Sequence, residues 1–230
     1  MYLSQDIYGD NNFVEIYKKC KPYTMVSIER SFALHKAVKY IINSQIPGDF
    51  VECGVWKGGQ AMIIAYTLLQ VKDLSRKIWL YDTYTGMAKP TDVDVKIGDD
   101  KKAIEKWKKG SREDYNKWAY ASLDEVKRNL FSTKYPKDKI KFIKGKVEDT
   151  IPGKIPEKIS ILRLDTDFYE STYHELVHLY PLLEKGGVLL IDDYGSWEGA
   201  RKAVDQYIQE NKISIFLNRI DNTGRIGIKI

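Results

Sequence analysis

The chain has 230 residues, 43% of them hydrophobic and 30% charged, with a formal net charge of +5. That apolar content suffices for one well-buried core, and the lack of low-complexity tracts excludes global disorder. No apolar run reaches the roughly 18 residues of a membrane span, and MYLSQDIYGDNN has neither the basic nor the apolar region of a secretory leader, so none is expected.

Ile28, Phe32, Leu34, Ala37, Val38 and Ile41 recur at helical spacing, which predicts a helix over 28–42, ended by Pro47 and Gly48. DFVEC at 49–53 reads as a buried strand, 54–59 as a turn, and AMIIAYTLLQ as the next helix. KIWLYD at 77–82 is a second strand. Residues 86–120 form a charged stretch with turn signals at MAKP and IGDD and no firm assignment. A helix is expected over 123–131, strands at 139–145 and 159–165, a helix over 169–183, a strand at 186–193 and a helix over EGARKAVDQYIQEN. ISIFLNR and RIGIKI, separated by IDNTG, read as a terminal antiparallel hairpin. Strands alternating with helices predict an α/β fold of right-handed βαβ units and a mostly parallel sheet of seven strands. The two cysteines, Cys20 and Cys53, make neither a disulfide framework nor a thiolate zinc site, and a reduced, cytoplasmic setting is expected. KKAIEKWKKG at 101–110 is the densest basic patch; without a nucleic-acid-binding motif beside it, it reads as a solvated helix face.

HELVH at 174–178 fits H-E-x-x-H, the spacing that sets two histidines on one helical face for zinc. Tyr169, Tyr173, Leu176, Tyr180 and Leu183 form an apolar stripe on that helix. His174 and His178 fall on its far side and are expected to face solvent, and Glu198 is separated from them by a whole strand. A zinc peptidase is therefore disfavoured.

Four strands end in carboxylates: Glu52, Asp82, Asp165 with Asp167, and Asp192 with Asp193. In an open parallel sheet, ligands bind outside the carboxyl ends of the strands, so these groups are expected to share one rim. In VECGVWKGG, Gly54, Gly58 and Gly59 permit a tight turn and close approach to a ligand, without matching a dinucleotide or P-loop fingerprint. Asp82 suits the two hydroxyls of a ribose. Asp165, Asp192 and Asp193, with neither histidine nor cysteine near, suit a hard cation such as magnesium or calcium; capping, or pairing with Arg163 or Arg201, is the plainer reading.

These residues carry a resemblance to the macrocin O-methyltransferase family. Its matching stretches are TM at 24–25, PGDFVECGVWKGG at 47–59, DTYTGM at 82–87, SLDEVKRNL at 122–130, EDTIP at 148–152, LRLDTDFYEST at 162–172 and LYPLLEKGGVLLIDDYG at 179–195. The resemblance implies a Rossmann-like class I methyltransferase, with helices on both faces of the sheet, using S-adenosylmethionine and a divalent metal, usually magnesium. It implies that Glu52, Gly54, Val55 and Trp56 hold the methionine part of that cofactor and that Asp82, Thr83 and Tyr84 hold the ribose. Glu148 and Asp149 are placed near the adenine, Thr24 and Met25 over the cofactor, and Asp165, Asp192 and Asp193 on the metal. Thr166 and Phe168 depart from the family's usual glycine and aliphatic residue. The acceptor it implies is a sugar hydroxyl of a glycosylated natural product or a surface glycan. Asp165 is the expected proton acceptor, with Asp167 in reserve. The chain is expected to be one domain, with 1–23 covering the site or packing on another subunit and 86–121 as a lid. The family often forms homodimers. A non-catalytic cofactor-binding relative is the competing reading, opposed by the intact aspartates.

Overall fold

In the computed structural model, which describes residues 4–99 and 102–230, the alternating apolar runs become a seven-stranded sheet in the order β3-β2-β1-β4-β5-β7-β6. The strands are β1 (Asp49–Cys53), β2 (Ile78–Asp82), β3 (Ile140–Lys144), β4 (Ile159–Leu164), β5 (Leu183–Ile191), β6 (Asn218–Arg219) and β7 (Arg225–Ile228). β1 to β5 pair in parallel, while β7 runs antiparallel to both β5 and β6. Residues 1–3, Asp100 of the IGDD turn and Lys101 of the basic patch lie outside the described residues.

Period-two alternation divides the core into two layers. Phe50, Ile78, Leu80, Ile161, Val188 and Leu190 face α2 (Asn11–Cys20), α3 (Ile28–Asn43), α4 (Gly59–Gln70) and α6 (Leu123–Ser132). Val51, Cys53, Tyr81, Leu162, Leu189 and Ile191 face α7 (Val147–Thr150), α8 (Tyr169–Leu179) and α9 (Glu198–Glu210). Caps fix the helix starts: the Ser27 hydroxyl accepts from Arg30 N at 3.1 Å, and that of Ser122 from Glu125 N at 3.2 Å. The N-terminal segment, unassigned from sequence, folds as α1 (Gln5–Gly9) and α2, and α2 packs on α3 and α4 of its own chain. The charged stretch contributes one short helix, α5 (Ala103–Gly110).

Three expectations shift. The helix from 169 ends at Leu179 and tightens into a 3-10 turn over Tyr180–Leu182, because Pro181 offers no N–H to continue the ladder; Leu183 then opens β5. The C-terminal hairpin forms, but its first arm is only Asn218–Arg219; the preceding Ile213, Ile215 and Leu217 are half-buried and pack against the core without pairing in the sheet. The buried face of α8 is Ser171, Thr172, Glu175, Leu176 and Leu179, turned from the expected stripe because Tyr169 and Tyr173 stack on each other and Tyr173 meets Tyr207 of α9.

Candidate active site

Strand order reverses between β1 and β4, so the carboxyl ends of those strands open a crevice. Arg163 sits at its floor, 3% exposed, directly beside its register partner Glu52, 1% exposed. Its Nη1 donates to Glu52 Oε1 at 2.8 Å and to Asp165 Oδ2 at 2.7 Å, and its Nη2 to Asp192 Oδ1 at 2.6 Å. Burial pushes the Glu52 carboxyl up to about 7, with Arg163 opposing and Asp192 and Asp82 adding to the rise. The other oxygen of Asp192 is paired with Arg30 of α3. Arg30 Nε lies 2.9 Å from Asp221, which accepts from the Ser27 hydroxyl at 2.6 Å.

Asp192 therefore turns both oxygens to guanidiniums, and Arg163 supplies the pairing that the plainer reading of the aspartates anticipated. Arg201 instead donates to the Tyr194 carbonyl. The carboxylates whose oxygens meet, all within 4.8 Å of one another, are Asp165, Asp167 and Asp193. Burial holds all three above the usual carboxylate range, with mutual repulsion adding, and Asp167 reaches about 7. Asp193 Oδ2 is buried without a hydrogen-bond partner. Five carboxylates facing two guanidiniums, with Asp193 Oδ2 and Glu52 Oε2 orphaned and no sulfur or imidazole among them, fit a hard divalent cation.

A cavity of about 210 Å³ opens beside this cluster, walled by Thr24, Met25, Glu52, Val55, Trp56 and Gly59 among others. Two buried acceptors on its wall, Glu52 Oε2 and Gln60 Oε1, lack partners. The Gln60 amide donates to Thr24 Oγ1 at 2.9 Å and Ser31 Oγ at 3.0 Å. Two orphaned acceptors suit the ammonium end of an amino-acid-like cofactor. A smaller cavity of about 60 Å³ adjoins it through Asp165 and is bounded by Gly54, Asp82, Thr83 and Glu148.

Asp82 is already occupied. Its Oδ2 accepts from Val55 N at 2.7 Å and Trp56 N at 3.1 Å, and its Oδ1 from Tyr84 N at 2.7 Å. It thereby fixes the turn after β1 while remaining on the cavity wall. Tyr84 is buried with its hydroxyl donating to Leu80 O, Asp149 is exposed, and Gly58 caps α4; none of the three lines either cavity. Protein contacts alone already require glycine at these positions. Gly54 has φ +81°, and a Cβ there would collide with the Asp165 carbonyl; the neighbours of Gly58 and Gly59 are Leu130 and Tyr23. Trp56, Tyr84 and Asp167 adopt left-handed φ of 47°, 53° and 69°, so strain gathers in the loops after β1, β2 and β4.

The histidines do not face open solvent as expected. They are half-buried with rings 4.4 Å apart, and His174 Nε2 bonds the Ile151 carbonyl. Glu175, the would-be base of the motif, is fully buried, and Glu198 is exposed at the start of α9. Among the described residues the histidines belong to no metal-spaced cluster.

No motif marked Arg30, Gln60 or Asp94, whose roles depend on contacts across the fold. Asp94 is 0% exposed and latches the 86–121 segment to the site: it accepts from Thr91 N at 2.7 Å and from Tyr169 N, at the start of α8, at 2.9 Å. Ile97 N donates to the Ser196 carbonyl and Glu198 N to the Val95 carbonyl alongside. Asp94→Ala should cost about 1–2 kcal/mol, the scale of a lost helix cap. Hydrogen exchange should quicken across 91–103 and leave α4 unchanged; unaltered protection of 91–103 would refute the latch.

The sequence pattern of the macrocin-O-methyltransferase (TylF) family matches residues 18–226. The tetracenomycin-C rhamnosyl 4'-O-methyltransferase of Streptomyces olivaceus is 32% identical over 202 residues, 88% of this chain and 74% of that protein. Mycinamicin III 3''-O-methyltransferase of Micromonospora griseorubida is 33% identical over 205 residues, 88% of this chain and 76% of that one. The solved structure of the O-methyltransferase NovP superposes with a TM-score of 0.77 at 31% identity, over 90% of this chain and 82% of that one. The calicheamicin methyltransferase CalS11, at 15% identity and a TM-score of 0.63, shares the fold over 99% of this chain and 94% of its own. With a family match across nearly its full length and an O-methyltransferase fold, the chain belongs to the macrocin-O-methyltransferase (TylF) family.

Proposed function

We propose that this protein moves the methyl group of S-adenosylmethionine to a sugar hydroxyl, in a glycosylated natural product or a surface glycan, with a divalent cation at the acidic rim. The observation that supports it most is the adjacency of two unlike sites for positive charge: the Asp165–Asp167–Asp193 cluster and the orphaned acceptors of Glu52 and Gln60. The relatives named above act on glycosylated compounds, which favours the same acceptor class.

Asp165, Asp167 and Asp193 would hold the cation, with Asp192 behind them setting the positions of Arg163 and Arg30. A cation there supplies Lewis-acid polarisation of the acceptor. S-adenosylmethionine supplies an electrophilic methyl group for in-line displacement. The chain's own part is positioning, which is worth several kcal/mol when reacting atoms are aligned. Asp165 has one oxygen committed to Arg163, whereas no ion pair engages Asp167 among the described residues, so we assign proton acceptance to Asp167. Thr24 and Met25, the latter 63% exposed at the cavity mouth, close over the cofactor, and the 86–121 segment covers the acceptor. We read the chain as one methyltransferase unit. Among the described residues no helix is long and apolar enough to cross a membrane. Two free, buried thiols suit a cytoplasmic setting.

Calorimetry with S-adenosylmethionine tests the cofactor, and mass spectrometry of candidate glycosides, with magnesium or with EDTA, tests the transfer. Absence of S-adenosylmethionine binding would end this reading. Transfer undiminished by EDTA would remove the cation from it.

A further inference from the structure

One lysine of the basic patch, Lys106, reaches from α5 toward the acidic rim. Hydrogen bonds within the 86–121 segment fix where α5 sits. Ala103 N donates to the Asp94 carbonyl at 2.9 Å, and Trp107 Nε1 donates to the Met87 carbonyl at 2.9 Å. Asn116, 4% exposed, ties the helix to the indole that Lys106 covers: its Nδ2 donates to the Trp107 carbonyl and its Oδ1 accepts from Trp118 N, both at 2.9 Å. In this frame Lys106 Nζ lies 4.0 Å from the centre of the Trp118 ring.

Trp118 is in turn the contact of the segment with the rim. It meets Phe168 edge to face at 5.7 Å and Trp197 at 5.8 Å, and those two rings meet each other at 5.8 Å. Phe168 directly follows Asp167, and Trp197 N donates to the Asp193 carbonyl at 3.1 Å. Three rings therefore join the 86–121 segment to the two loops that carry Asp167 and Asp193. The Lys106 ammonium stands in the field of Asp167: burial lowers its pKa, Asp167 opposes that, and Lys96 adds to it. Asp165 and Asp192 have guanidinium partners, whereas among the described residues neither Asp167 nor Lys106 is in an ion pair. An ammonium held beside a carboxylate by an indole, rather than by the carboxylate itself, is free to leave. A compact charge on a flexible four-carbon stem suits that role.

We propose that Lys106 is the counter-cation of the rim and competes with the divalent cation for Asp167, so that loading the rim lifts Lys106 from Trp118 and loosens the 86–121 segment. Lys106 is thus a positioning residue that couples the cation to the segment over the acceptor. This rests on the reading of the rim as a cation site and adds a residue to it.

Equilibrium dialysis of the full chain against manganese at low ionic strength tests the competition. Lys106→Met should bind manganese about threefold or more tightly than the wild type, the scale of removing one unit charge near a divalent ion in a high dielectric. Lys106→Gln serves as a second neutral variant. The gain should shrink as salt rises. Lys106→Arg keeps the charge and should stay within about twofold of the wild type. Lys108→Met removes an equally exposed charge about 200° around α5 and should stay there too. Unchanged S-adenosylmethionine affinity reports an intact fold in each variant. Magnesium should alter the tryptophan emission of the wild type, and the response should vanish in Trp118→Phe. Unchanged manganese affinity in both neutral variants, or an equal gain in Lys108→Met, overturns the proposal and spares the cation reading. So does a magnesium response that is absent from the wild type or survives in Trp118→Phe. A wild type that binds no manganese at millimolar concentration overturns both.

Discussion

Arg163→Met should cost about 3–5 kcal/mol of stability, the usual penalty for stranding a buried charge. Here one side chain compensates three carboxylates, Glu52, Asp165 and Asp192, at 2.6 to 2.8 Å, and Arg163 and Glu52 are almost sealed from water. Burial alone would lower the Arg163 pKa, yet Asp165, Asp192 and Glu52 hold it above its ordinary value. Methionine fills much of the volume, so the loss reads charge rather than packing. The pH dependence separates the two causes. The folded Glu52 carboxyl titrates at about 7, against 4.5 for the ordinary value, so it holds its proton more tightly in the fold than in the unfolded chain. Such a group favours the fold fully below 4.5 and loses that contribution as pH rises toward 7. Without Arg163 this dependence should steepen. The variant, melted in EDTA, should recover part of its deficit between neutral pH and about pH 5. A deficit that does not change with pH would show that packing, not charge, was lost.

Asp193→Asn should lower turnover by about a hundredfold or more, the scale of a lost metal-site or acid-base group. It should weaken magnesium or manganese binding in equilibrium dialysis while leaving S-adenosylmethionine affinity within about twofold. The reason is position: Asp193 meets Asp165 and Asp167 at the rim, and its Oδ2 has no protein partner. Asp82→Ala should do the reverse. It removes the acceptor that holds Val55 N and Trp56 N, so the turn that walls the cofactor cavity loosens. Cofactor affinity should fall by roughly tenfold or more, at about 1–3 kcal/mol for each stranded donor, with metal binding retained. Equal effects of both substitutions on cofactor and cation would defeat this division of the site.

Much of the architecture was legible because the signals are local. DFVEC, IWLYD and ISILRL are mostly apolar and largely buried on both faces, as strands covered by helices must be, and DFVEC and ISILRL are each followed by a turn and a helical pattern. The acidic residues that close those strands share a rim because every parallel strand ends at the same edge of the sheet. The VECGVW and DTY stretches follow β1 and β2 at that edge for the same reason, whereas TM at 24–25 reaches the crevice from the loop before α3.

Which carboxylate meets which partner was decided only by the tertiary structure. Asp192 and Asp193 are adjacent and chemically identical in sequence, yet Asp192 is claimed by Arg163 and by Arg30, 29 and 162 residues away, while Asp193 is left facing Asp165 and Asp167. The register that sets Glu52 beside Arg163 spans 111 residues, and no periodicity encodes it. HELVH shows the same limit at one helix. Its rotation follows the packing of α8 between β4 and α9, which buries Glu175 and directs His174 to the Ile151 carbonyl, whatever the spacing of the motif. Hydrophobic period determines which elements form and which way a sheet faces. Charge pairing follows distances between residues remote in the chain, and these exist only once the layers have packed.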